Sequence, residues 1–375
     1  MEVIDAAEYE ERLPDPVPED DAYVDFRAEQ GVPVHTGLYV EDVRDVETGP
    51  WERTGQRGAF VNLYGMQYVD DLQLHELAPG GETDWMTHYY DELVYVLSGN
   101  GATSIGGGRR SFEWSAGAVF YLPHNANYKH MNGAGDDRAL LVAHTFLPQY
   151  MNLVKDRGAL FEVEYDPWDG QAPGDYYAEE GQEGRFYMYD GKYENAPTSW
   201  EANFIPDVQA FDRIGGWDKT GAMGIVMFPF PQSGIYAHLS EIPVGRYKNA
   251  HRHDPGANLF IVRGEGYELL WEPDGPKVKL DWSPGALFSP PAGWYHQHFN
   301  TSGEPARQFV MHQPRFGSLS NHGFVFDGHA DRNLIGYHQE APGVRELYEA
   351  ELAAKGLESA MPEAAYRDPD YEFEA

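Results

Sequence analysis

The chain has no cysteine. Disulfides, thiolate nucleophiles and Cys-based zinc or iron–sulfur sites are therefore excluded. A transition metal would have to be held by His and carboxylate side chains. Lysine is scarce too: eight among 27 basic residues, against 61 acidic ones, for a formal charge of −34. Nucleic-acid binding needs cations to displace counterions from phosphates, so this balance argues against it. It fits a high-salt habitat, where screening weakens self-repulsion, or an ordinary acidic bacterial protein. Long apolar runs are missing, and none approaches the roughly 18 residues of a membrane-spanning helix. The start, MEVIDAAEYEERLPDPVPEDD, is acidic and has no apolar core of a secretory signal. The expectation is a cytoplasmic protein that engages neither nucleic acid nor membrane.

What the chain does have is an internal repeat. LAPGGETDWMTHYYDELVYVLSGNG (77–101) matches IPVGRYKNAHRHDPGANLFIVRGEG (242–266) at an offset of 165. SAGAVFYLPHNANYKHMN (115–132) matches SPGALFSPPAGWYHQHFN (283–300) at an offset of 168. The difference places three extra residues between the blocks of the second copy, and WEPDGPKVKLDW is where a longer hairpin fits them. VYVL, FIV, AVFY and ALFS are short, β-branched or aromatic, and bounded by Gly and Pro, so they read as strands. Many short strands at regular spacing predict an all-β protein with few helices. One helix is predicted over 342–356, with Pro near its start and Gly at its end. The expected organisation is an N-terminal extension (1–55), a first barrel (56–150), a linker (151–200), a second barrel (201–320) and a C-terminal extension with the helix (321–375).

The residues also carry a pattern. The second repeat reads Gly245, His251, His253, Gly264, then Gly285, Pro291, Gly293, His296 and Asn300. This resembles the two motif blocks of the cupin superfamily, with the Glu of the first block missing. The resemblance implies two tandem cupin (jelly-roll β-barrel) domains, a bicupin. Within that superfamily the chain is similar to gentisate 1,2-dioxygenase-like bicupins: HRH at 251–253, Ala257 at the Glu position, GEG at 264–266, and Trp294, His296, His298 and Asn300 in the second block. Two positions depart from that family, which has Gln and Arg where this chain has Pro255 and Leu259. Known members of that family also use the N-terminal barrel for the site that falls here in the C-terminal one.

Side chains two apart on a strand share a face, so His251 and His253 are expected to point into one barrel, where His296 meets them from another strand. Three imidazoles leave open positions on a divalent ion, as catalysis requires. With Ala257 in place of a carboxylate, an anionic substrate would supply the missing charge. Fe(II) is the leading metal, with Zn, Ni, Mn and Cu as alternatives. The expected function is a dioxygenase acting with O2 on a small hydroxylated, aromatic acid. Its alternatives are a redox-neutral cupin enzyme (decarboxylase, isomerase or hydrolase) or a non-enzymatic ligand-binding bicupin. His298, Arg263 and Trp294 are the candidate catalytic or substrate-contacting residues. In the first repeat Met86 and Tyr128 replace two of the ligands. His88, Glu92 and His130 are left as a candidate second metal site, the alternative being a decayed barrel kept for packing. His238 and His312, among the other histidines, show no ligand spacing. Bicupins often self-associate, so a homo-oligomer is expected.

Overall fold

A computed structural model describes residues 1–13, 21–66, 69–164, 187–188, 198–200, 202–214, 216–218, 222–230, 233–253, 257–312 and 333–373. The centre of the expected linker and residues 313–332 lie outside the described residues. The first half contains β1 (Val3–Asp5), α1 (Ala6–Glu10), α2 (Ala22–Glu29), β2 (Val34–His35), β3 (Tyr39–Val40), β4 (Gly49–Trp51), β5 (Gln56–Val61) and β6 (Asp71–Leu77). It continues with β7 (Glu92–Ser98), β8 (Asn100–Ile105), β9 (Arg110–Ser115), β10 (Val119–Leu122), β11 (Tyr128–Asn132), β12 (Ala139–Thr145), α3 (Leu147–Val154) and α4 (Arg157–Phe161). The second half contains β13 (Tyr187–Met188), β14 (Thr198–Ser199), β15 (Phe204–Ile205), β16 (Gly216–Asp218), β17 (Met223–Pro229), β18 (Tyr236–Ile242), β19 (Ala250–His251) and β20 (Ala257–Arg263). Then come β21 (Gly266–Trp271), β22 (Lys277–Trp282), β23 (Leu287–Phe288), β24 (Tyr295–Asn300), β25 (Ala306–His312), β26 (Leu334–Ile335) and α5 (Pro342–Ala354).

Each half folds as two facing sheets. In the first, β15-β10-β7-β12-β6-β5-β2 faces β11-β8-β9. In the second, β13-β14-β17-β18-β25-β20-β23-β3 faces β1-β22-β21-β24-β19-β26. These are two tandem jelly-roll barrels in an all-β chain with few helices. The three-residue insertion sits in the β21–β22 hairpin. Ile105 pairs with Arg110 across four residues, whereas Leu270 pairs with Val278 across seven.

The barrels are tied by exchanged arms. Tyr39–Val40, upstream of the first barrel, pairs with Leu287–Phe288 of the second. Phe204–Ile205, upstream of the second, pairs with Val119–Phe120 of the first. Val43 N–H then donates to Gly285 O at 2.9 Å, and Val208 N–H to Gly117 O at 2.9 Å. Gly117 and Gly285 adopt φ +92° and +108°, and a Cβ there would stand 2.5 Å from Asp207 Oδ1 and 2.6 Å from Asp42 Oδ1. Only glycine admits this approach at such φ.

The barrels also pack sheet on sheet. Tyr95 of β7 meets Phe260 of β20 and Phe309 of β25, each with ring centroids 5.4 Å apart. Such aromatic pairs add about 0.5–1.5 kcal/mol beyond area burial. Beside them the buried Asp70 carboxylate joins His144 Nε2 at 2.7 Å and Asn258 Nδ2 at 2.6 Å, linking the first barrel to the second through hydrogen bonds.

The helices cover outer faces. The Asp21 carboxylate caps α2 by accepting from Tyr23 and Val24 N–H. This helix and α3–α4, which the sequence reading did not place, pack Tyr23, Phe26, Leu147, Met151 and Leu160 against Trp51 and Phe60. The C-terminal α5 stops two residues short of the predicted end. It lays Val344, Tyr348 and Leu352 on Tyr267, Leu269 and Phe299 of β21 and β24. Just before it, Glu340 accepts from Gln297 Nε2 (2.6 Å) and Tyr247 Oη (2.8 Å), holding β24 from outside. No helix among the described residues is long and apolar enough to cross a membrane.

Candidate metal centre

Strand β24 sets the centre. Its alternation turns Gln297 outward to Glu340 and turns His296 and His298 inward. His251, at the end of β19, is the cross-strand partner of His296, and their ring centroids lie 4.1 Å apart. Glu268 on β21 is the cross-strand partner of His298. Its Oε2 lies 2.7 Å from His298 Nδ1.

His251, His296 and His298 each offer one ligand atom within 4.8 Å of the other two, the one such group among the described residues. The ring of His253 lies 4.6 Å from that of His296 and 5.8 Å from that of His251. Four imidazoles therefore gather at one place, and the three-residue set with mutual ligand distances contains His298 rather than His253. His253 falls just beyond β19, where strand alternation no longer fixes its direction. The role expected for His298 shifts from an outer acid or base toward the donor set itself.

Burial pushes His251, His296 and His298 well below the usual imidazole value, with the neighbouring rings and the Lys248 charge adding to it. Neutral imidazole is the form that binds a metal. Burial likewise raises the Glu268 carboxyl well above its usual range. His298 and Glu268 thus share one proton across their hydrogen bond. A cation at the other ring nitrogen would favour the carboxylate with Nδ1–H, the arrangement by which a carboxylate fixes the tautomer of a ligating His. Glu268 Oε1 is buried without a hydrogen-bond partner. The residues fit a divalent metal: a set of imidazole donors, one of them backed by a carboxylate.

Glu268 was not singled out in the sequence. Its signal is a lone charge in the apolar strand GYELLW, two residues past the GEG turn and fully buried.

Two expected contacts move. Arg263 is corrected from a site residue to a rim residue. Its Nη2 donates to Glu241 at 2.7 Å, and Arg307 Nε shares the same carboxylate. It lies six residues along β20 from Ala257, about 20 Å of strand. Trp294 is buried among Tyr9 and Tyr64 of the first half, with centroids at 5.7 and 6.4 Å. Its carbonyl oxygen lies 3.5 Å from His296 Nδ1.

The candidate second site is also corrected. His88 Nε2 and Glu92 Oε1 are 3.0 Å apart, and Tyr128 Oη bridges them, 3.0 Å from His88 and donating to Glu92 at 2.8 Å. Burial alone would raise Glu92, but His88, His75 and the Tyr128 hydrogen bond together hold the carboxyl at about 2. His130 does not join them in a metal-sized group. Its Nδ1 pairs with Thr103 Oγ1 at 2.8 Å, and burial lowers it to about 3. Thr103 is the counterpart of Glu268 at offset 165, so the His–Glu pair of the second barrel is a His–Thr pair in the first.

The Cupin domain family matches residues 73–144, within the first barrel. No curated protein matches the chain. Among solved structures, an oxalate decarboxylase of Bacillus subtilis with Mn(II) centres is 13% identical, covering 74% of this chain and 78% of its own, with a TM-score of 0.45. The salicylate 1,2-dioxygenase of Pseudaminobacter salicylatoxidans is 12% identical, covering 66% and 71%, with a TM-score of 0.47. An oxalate decarboxylase of Lactobacillus farciminis, in a formate complex, is 15% identical, covering 74% and 87%, with a TM-score of 0.46. Residues 73–144 thus match the Cupin domain family, and the chain as a whole is built of two tandem jelly-roll barrels.

Proposed function

We propose that the chain is a metal-dependent dioxygenase, using Fe(II), that acts with O2 on a small hydroxylated aromatic acid in the second barrel. The observation that supports this is the donor set. His251, His296 and His298 are neutral, His253 stands beside them, and Ala257 supplies no carboxylate in the facing strand. A dication held this way keeps its full charge, so it favours a substrate that arrives as an anion through phenolate and carboxylate oxygens. Bound Fe(II) would supply the electrons for oxygen chemistry.

The chain's own residues do the rest. Glu268 holds the Nδ1 proton of His298 and fixes which ring nitrogen faces the centre. Ala257, Leu259, Ile261, Phe288 and Val310 are buried in one apolar cluster of this barrel, which excludes water around a bound ring. Glu340 restrains the strand that carries His296 and His298.

Imidazole donors equally suit zinc or nickel acting as Lewis acids, which is the redox-neutral reading. Anaerobic reconstitution with Fe(II), then oxygen uptake over a panel of hydroxylated benzoates, separates the two. Uptake matched to substrate loss is the expected result. Turnover with zinc or nickel in the absence of O2, without any iron-dependent uptake, would replace the dioxygenase by a decarboxylase, isomerase or hydrolase.

A further inference from the structure

The first barrel builds no metal-sized group among the described residues, yet its interior holds polar atoms that no other side chain answers. His75 of β6 is 2% exposed, and neither of its ring nitrogens has a hydrogen-bond partner. His130 of β11 is fully buried, and its Nε2 has none. The two ring centroids lie 5.9 Å apart. Arg53 Nη1 is a third buried nitrogen without a partner. Its guanidinium donates from Nη2 to Tyr90 Oη at 3.0 Å and lies over Phe161 of α4 and Phe26 of α2, at 4.5 and 5.9 Å. No carboxylate among the described residues pairs with it, whereas a buried cation is ordinarily paired. Short contacts join these groups in a circuit. Tyr90 stacks on His88 at 3.8 Å, and His88 Nε2 lies 3.0 Å from Tyr128 Oη. The Tyr128 ring lies 5.2 Å from that of His130. Beyond His130, His75 stacks on Trp51 at 5.3 Å, two residues before Arg53. The charge of Glu92, inside this circuit, acts on Arg53, His75 and His130 alike.

We propose that the interior of the first barrel binds one small monocarboxylate, of acetate size, through Arg53, His75 and His130. The inference stands apart from the metal centre and does not depend on the function proposed above. The protons decide the ligand class. Trp114 Nε1 donates to Thr103 Oγ1 at 2.9 Å, so the Thr103 hydroxyl passes its own proton to His130 Nδ1 at 2.8 Å. His130 Nε2 therefore carries an N–H. Burial lowers His75 and His130 to about 4 and 3, so both rings are neutral and His75 also keeps one N–H. Arg53 Nη1 adds two more. The free groups are thus mainly donors, and an ionised carboxylate only accepts. Charge points the same way. His88 Nδ1 faces Tyr90 O at 2.7 Å and Nε2 faces Glu92 Oε1 at 3.0 Å, so both nitrogens donate and the imidazolium offsets Glu92. The second Glu92 oxygen accepts from Tyr128. Asp71, farther along β6, is bonded by Thr145, Gln73 and Tyr23, and Arg27 lies over the Tyr23 ring. Arg53 is left as one uncompensated positive charge, which suits a monoanion and not a dianion.

The test is titration calorimetry of the full chain, saturated with Zn(II), with sodium acetate in chloride-free buffer at neutral pH. Wild type is expected to bind acetate. Arg53→Met keeps the stem beside Phe26 and Phe161 and should weaken that binding roughly tenfold or more. Arg53→Lys keeps the charge without the planar fork and should fall between the two. His296→Gln, altered at the metal centre, should retain the binding that depends on Arg53. Arg53→Met removes an unpaired buried charge, so it is expected to unfold no earlier than wild type in acetate-free buffer. If it fails to fold, Arg53→Lys and a crystal soaked in acetate decide. The crystal should show the carboxylate on Arg53 Nη1 and His130 Nε2. No acetate binding by wild type would overturn the proposal. So would binding that His296→Gln abolishes and the Arg53 variants leave unchanged, since acetate would then sit on the metal. Water alone against Arg53 in the soaked crystal would overturn it too.

Discussion

At the scale of single residues, the centre depends on which nitrogen each ring presents. His298 is the clearest case, because Glu268 holds its Nδ1 at 2.7 Å from a fully buried position. Glu268→Gln keeps the volume and removes the charge, so the pair can settle in the wrong tautomer. Metal affinity is expected to fall roughly 10- to 100-fold, as for other partners of ligating imidazoles. Chelator competition would measure it, and an unchanged affinity would show that His298 needs no such support. His251, His253, His296 and His298 were legible in the sequence through their spacing and flanking glycines. Which three share mutual ligand distance was not, since His253 lies past the last paired residue of β19. Arg263 was misplaced for a related reason: parity along β20 gives the face, but not the distance from the centre. Glu268 was hidden because nothing in its own strand identifies its partner, which lies 30 residues away.

At the scale of elements, the strands were readable because each is a short apolar run between Gly and Pro, and the repeat gave each run a counterpart. The exchanged arms were not. A two-residue strand has no period, and its pairing is decided by a barrel more than eighty residues distant. With the structure in hand the counterparts are plain: Tyr39 and Phe204 differ by 165, the offset of the first motif block. The caps of α2 and α4 were likewise overlooked inside acidic or Gly-rich sequence, where Asp21 and Asp156 act as N-caps. The arms make a testable pair. Gly117→Ala and Gly285→Ala each add a Cβ at positive φ and within 2.6 Å of an Asp oxygen. Each is expected to cost about 1–3 kcal/mol. Both should lower Tm, but only Gly285→Ala loosens the arm on the barrel that carries the histidine cluster, so it alone should speed metal loss. Identical metal retention in the two variants would mean that the arms stabilise the molecule without supporting the centre.

At the scale of the whole molecule, charge sets the conditions under which this arrangement holds. Acidic groups exceed basic ones by 34 (61 − 27). Surface ion pairs such as Arg345 with Glu349 and Arg157 with Glu29 employ some of them. Such pairs contribute about 0–1 kcal/mol each, and salt weakens them. The surplus carboxylates have no cation to pair with, and their mutual repulsion is also screened by salt. The two effects oppose each other, and the surplus is the larger population. Raising ionic strength from about 0.1 M to 1 M shortens the screening length from about 10 Å to about 3 Å. Thermal unfolding in NaCl is therefore expected to show Tm rising by several degrees over that range. Potassium glutamate at matched ionic strength should give a similar rise, because relief of repulsion does not depend on which salt supplies it. A Tm that is flat or falls would mean that the ion pairs dominate, and the high-salt habitat would lose its physical basis. A rise confined to one salt would point to specific ion binding instead of screening.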